Sequence, residues 1–207
     1  MREFPKPIVV VSMCIEFQHV RWNSEVISSD FVRKRRHCVT LIPVCPEVEL
    51  GLGVPRNPLR VVSSGGKLKL VQLDTRTDQT DKMAKFAESF LISLPEIDGF
   101  ILKARSPSCA LRDAMVYLDC QDPAPTARSP GLFAKKVLQK YPHVAVEDEK
   151  RLENPRTAAR FIKRVFTSAR LRQVKASTSQ KSRVDLKPRR RVLQHAGSRV
   201  RKRRKLE

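Results

Sequence analysis

The apolar positions of this chain fall into short β-branched runs separated by longer stretches with a helical repeat. "PIVVVS" (7–12) is continuously apolar, the pattern of a strand covered on both faces. "VTLIPV" (39–44) is a second such run, and Pro43 marks its end. "LRVVSSGGKLKLVQL" (59–73) alternates on both sides of Gly65-Gly66, which predicts a β-hairpin, a peripheral addition to the fold. Met83, Phe86, Ala87, Phe90, Leu91 and Leu94 recur at three and four, so a helix follows the capping candidates Asp78 and Thr80 and stops at Pro95. "GFILKARSPSC" (99–109) starts as a strand, and "GLFAKKVLQKYP" (131–142) is a short helix. A longer helix is predicted over 153–174, with Asn154 as cap, Pro155 in the first turn and Ala158, Phe161, Ile162, Val165, Phe166 and Ala169 on one face. Beyond Val174 the repeat stops. The alternation of strands and helices predicts an α/β protein with an open, mostly parallel sheet flanked by helices.

Composition adds two things. The chain has 207 residues, enough for one α/β domain and an extension. Its net charge is +21, and residues 175–207 alone hold thirteen Lys/Arg against two acids. That stretch reads as a disordered basic tail with affinity for polyanions, including non-specific nucleic acid, through counterion release. No stretch approaches the about 20 apolar residues of a membrane span, and the apolar run near the start is too short for a signal peptide. Five cysteines, an odd number, argue against a disulfide framework and for a reducing, cytoplasmic compartment.

Three of the cysteines share a placement. Cys14, Cys45 and Cys109 each follow a predicted strand. In an open parallel sheet the carboxyl ends of the strands form the ligand-binding edge, so the three thiols would converge there. Convergent thiolates suit zinc, with a histidine such as His19 or His37 or a water as fourth ligand, or an iron–sulfur cluster. Free cysteines are also commonly buried without any such role. Spacing alone leaves these three readings open. Cys38 and Cys120 read as structural.

The segments around the three cysteines are more specific. "VSMC" (11–14), "PVCPEVELGLGVPR" (43–56), "RTDQTDKM" (76–83) and "LKARSPSC" (102–109) resemble, in order and spacing, the motifs of the thiouracil desulfurase family. The similarity covers roughly residues 6–142, the expected first domain (1–142). It implies a Rossmann-like α/β fold and a 4Fe–4S cluster held by Cys14, Cys45 and Cys109, with one iron open. It implies removal of sulfur from a small thiolated nucleobase such as 2-thiouracil, releasing uracil and sulfide. Glu47 and Ser106 match the family's proton-transfer positions, while Ser12, Arg56 and Ser108 are the substrate-binding candidates. The competing roles are a Glu47–Arg56 ion pair and a turn-forming Ser106. The chain departs from the family at three glycines, replaced by Ser24, Arg76 and Ala110; if those positions need positive φ, they are strained. Residues 141–174 resemble the start of a YbgA-like helical domain, which sets an expected second unit at 143–174 and the tail at 175–207. Two other function classes stay open: a non-enzymatic nucleic-acid-binding protein working through the tail, and a zinc or purely structural protein with a degenerate site.

Overall fold

The computed structural model describes residues 5–185. Strand β1 (Ile8–Ser12) lies in the middle of a parallel sheet. It pairs on one side with β2 (Thr40–Val44) and on the other with β5 (Gly99–Leu102). β8 (Ala145–Asp148) adds outside β5, giving the order β2-β1-β5-β8 with every pair parallel. Pro43 sits opposite Val11 inside β2 rather than after it. β2 is an edge strand, where the missing N–H of a proline costs little.

Because side chains alternate along a strand, β1 serves two cores. Val9 and Val11 face α1 (Asp30–Arg35) and α5 (Pro155–Asp185), where they meet Phe31, Val32, Phe161 and Val165. Val10 faces the other way, with Phe100 and Leu102, toward α3 (Thr80–Ser93) and α4 (Leu132–Lys140). In α3 the buried residues Met83, Ala87 and Leu91 recur every fourth position. Its start is fixed by Asp78, whose Oδ1 accepts the Thr80 N–H at 2.9 Å, while Thr80 Oγ1 accepts the Leu70 N–H at 2.9 Å.

The hairpin is not peripheral. β3 (Leu59–Ser64) and β4 (Lys67–Gln72) join β6 (Ala114–Tyr117) and β7 (Ala127–Ser129) in a second four-stranded sheet, order β4-β3-β6-β7. Leu59, Val61 and Leu70 belong to the same core as Val10 and Phe100. β6 and β7 are too short, at four and three residues, to carry a readable alternation.

The expected boundary at 142 does not separate two bodies. Residues 143–174, expected as a helical extension, begin with β8 of the first sheet. α5 then packs back over that sheet. Gly99 lets it approach: a Cβ there would lie 2.7 Å from Val165 Cγ1. Arg172 Nη2 donates to the buried Asp98 Oδ2 at 2.8 Å. Asn154 Oδ1 caps the helix by accepting the N–H of Arg156 and Thr157. α5 also runs past Val174 to Asp185, because no proline or glycine interrupts 156–185. Most of the expected basic tail, 186–207, lies outside the described residues. Among the described residues no helix is long and apolar enough to cross a membrane.

Candidate functional site

All four strands of the first sheet end at one edge. α1 follows β1 on one face of the sheet, and α3 precedes β5 on the other, so the chain changes face between β1 and β5. A crevice opens at such a switch point. Here it is a cavity of about 450 Å³, and Cys14, Cys45 and Cys109 all line it.

Each thiol is brought there by its own local device. Cys14 follows β1, and its carbonyl accepts the Ile27 N–H at 2.7 Å. Cys45 follows β2 and stands at the N-cap position of the one-turn helix α2 (Pro46–Glu49), with Pro46 in the first helical position where no N–H is needed. Cys109 sits in the loop after β5. Ser106 Oγ shapes that loop by accepting the N–H of Ser108 at 3.2 Å and of Cys109 at 3.0 Å. The loop then docks on the start of α4, whose Leu132 and Ala134 N–H groups donate to the carbonyls of Pro107 and Ser108. Gly131 permits this: a Cβ would lie 2.5 Å from the Ser108 backbone.

Burial dominates the thiols' acidity. It pushes Cys14 up to about 12, helped by the Cys45 thiol and opposed by Lys103. Cys109 is raised by burial, then by Cys45 and Cys14, while a hydrogen bond with Ser12 favours its thiolate. Cys45 is raised by burial and by Glu47, against the Val48 backbone N–H. Neighbouring thiols raising one another is the signature of acids sharing one enclosed space, and a bound cationic centre would reverse it. The donor set therefore suits a thiophilic group. Among the described residues no three His, Cys, Asp or Glu are grouped to hold a single metal ion. His19 and His37 are exposed and do not line the cavity; His19 Nδ1 bonds instead to the Ser24 carbonyl at 2.8 Å.

Glu47 also lines the cavity, and its carboxylate is held from two sides. Arg56 donates to Oε2 from Nε at 3.0 Å and Nη2 at 2.7 Å, and Ser108 Oγ donates to Oε1 at 2.9 Å. Both competing roles from the sequence are thus present, since the Glu47–Arg56 pair and the Ser106 turn exist alongside the cavity placement. Two of the substrate-binding candidates already have partners. Ser108 is fully buried and positions Glu47. Arg56 reaches the cavity but spends Nη1 on the carbonyls of Val20 and Gly53, leaving one Nη2 hydrogen. Ser12 is buried beside Cys109, and its Oγ accepts the Lys103 N–H at 3.0 Å. Ser106 keeps its hydroxyl proton to donate, because its two backbone bonds use only lone pairs.

Two features were not singled out from the sequence. Lys103 Nζ pairs with Glu149 Oε1 at 2.6 Å, and Glu149 Oε2 accepts the Ala104 N–H at 2.8 Å. Lys103 lies within the "LKARSPSC" motif, but nothing local points to a partner after β8. Trp22, exposed at the cavity mouth, is the chain's one tryptophan. Of the three replaced glycines, Ser24 and Arg76 do take positive φ, at 57° and 53°, while Ala110 does not.

A family model for 2-thiouracil desulfurase matches residues 9–149, from β1 through β8. The chain belongs to the 2-thiouracil desulfurase family. It is thereby a desulfurase-like enzyme, and the family domain reaches past 142 to include the fourth strand and Glu149. Among solved structures, the chain is similar to a 4Fe–4S-dependent thiouracil desulfidase, TudS, at 25% identity and a TM-score of 0.55. The match covers 74% of this chain and 97% of that one. No curated protein matches the chain.

Proposed function

We propose that this protein hydrolyses a thiolated pyrimidine such as 2-thiouracil, and that Cys14, Cys45 and Cys109 hold a 4Fe–4S cluster in the cavity. The convergence of three buried thiols on one cavity, beside a carboxylate fixed by Arg56 and Ser108, carries this reading. When bound, such a cluster keeps one iron without a protein ligand and supplies a soft Lewis acid for sulfur. Trp22 offers a flat apolar wall at the mouth for a planar base. Arg56 and Ser108 anchor Glu47, and its Oε1 keeps a lone pair to accept a proton from water. The water oxygen adds to the thiocarbonyl carbon, the carbon–sulfur bond breaks, and sulfur leaves as hydrogen sulfide with the two protons of water. Ser106, on the cavity wall with its hydroxyl proton unspent, is the donor proposed to deliver one of them. No oxidant or reductant enters this balance.

The test is iron and acid-labile sulfide per chain after anaerobic reconstitution, followed by assay of uracil and sulfide from 2-thiouracil. About four of each per chain with broad visible absorption is expected, and Cys45→Ser should lose both cluster and turnover. A folded chain that takes up no iron sinks the cluster assignment. An intact cluster that leaves 2-thiouracil untouched sinks the substrate.

A further inference from the structure

The solvent face of α5 carries positive charge that the described chain does not neutralise. From Pro155 to Val184 the helix contains no Asp or Glu. At about 100° per residue, Arg156, Arg160, Lys163 and Arg170 fall within about 80° of arc. They lie opposite the buried Phe161, Val165 and Ala169. All four are exposed. Arg160 lies 3.8 Å from Glu147, a carboxylate already bonded to Arg151 at 2.8 Å. Arg156, Lys163 and Arg170 have no ion pair among the described residues. Helices normally relieve such repulsion with acids three or four positions away, and like charges at that spacing destabilise. Here Arg156 and Arg160 stand four apart, and among the described residues the one acid near either is Glu147, which Arg160 shares with Arg151.

We propose that this face binds a nucleic-acid strand through its phosphodiester backbone, without reading its bases. From Arg156 to Arg170 the stripe is about 21 Å long, the span of about six phosphates at the spacing of one duplex strand. Charge complementarity favours this polyanion, and guanidinium groups match phosphate oxygens in geometry. A membrane surface is disfavoured, because an interfacial helix needs a broad free apolar face, and on α5 Phe161 and Val165 are buried on the sheet while Leu171 and Val174 are two isolated exposed side chains. The binding is independent of the desulfurase reading, since none of these residues lines the cavity.

The experiment is fluorescence anisotropy of a labelled oligouridylate with the full chain over a salt series. The combined variant Arg156→Gln, Arg160→Gln, Lys163→Gln, Arg170→Gln should lower the slope of log K against log salt by about three units, at about 0.7 per phosphate contact. Replacing the three arginines by lysine should retain most of the slope. Circular dichroism and Tm serve as the fold control, and turnover of 2-thiouracil by the same variant should not change. An unchanged slope in the glutamine variant would assign binding to residues 186–207 and overturn the proposal. So would equal affinity for polyglutamate or for phosphatidylserine vesicles.

Discussion

Arg56 and Lys103, on the walls of the cavity, keep only 3% and 13% of their side chains exposed, and each closes on a carboxylate within 2.7 Å. Arg156, Lys163 and Arg170, on α5, stand in solvent with no acid paired to them among the described residues. The residue types are the same, and the environments reverse their roles. A cation withdrawn from water loses several kcal/mol of hydration and is tolerated only when paired, so its position becomes fixed. Arg56 thereby fixes Glu47, and Lys103 ties the Cys109 loop to Glu149 after β8. An exposed cation adds little to stability and stays available to a partner.

Removing one member of a buried pair is the harshest test of that contrast. Arg56→Met should cost about 3–5 kcal/mol in denaturant unfolding, because Glu47, only 12% exposed, loses its cation. A cost under about 1 kcal/mol would mean that the pair is hydrated in solution. The thiols give the next largest effect, in the cluster-free chain. Unfolded thiols ionise near 9.0, whereas Cys14 keeps its proton to about 12. The folded state then binds more protons across that window, so stability should fall from pH 9 upward by about 1.4 kcal/mol per unit through Cys14. Stability flat through pH 10 would place Cys14 in contact with water. Arg76→Gly should stabilise by about 0.5–1 kcal/mol, since it relieves a positive φ of 53° in a long side chain. The same change at Ala110 should give no gain. Lys163→Gln, on the α5 stripe, should shift stability by less than about 0.5 kcal/mol. A larger loss would show that the stripe is paired after all.

Much of this frame is legible in the residues. The β-branched runs located β1 and β2, and the spacing of Met83, Ala87 and Leu91 located α3. β6, β7 and β8 were missed because strands of three or four residues show little period, and β8 lies just before a strong helical signal. The motifs named the cysteines and Glu47, and the parallel sheet assembles them because its strand ends share one edge. The structural bonds of Ser108 and Arg56 were not legible for one reason. A motif shows that a polar group is present, but not which of its donors are already spent.

By itself the sequence determined the longer elements, the family resemblance and the thiol at each of three strand ends. Those follow from local periodicity and short-range spacing, both written along the chain. Only the tertiary structure decided that Ser108 serves Glu47 across 61 residues and that Lys103 meets Glu149 across 46. It also decided that Gly131 lets α4 press against the Cys109 loop. Such pairings depend on burial, because a hydrogen bond or ion pair becomes obligatory only where water is excluded, and exclusion is a property of the packed whole.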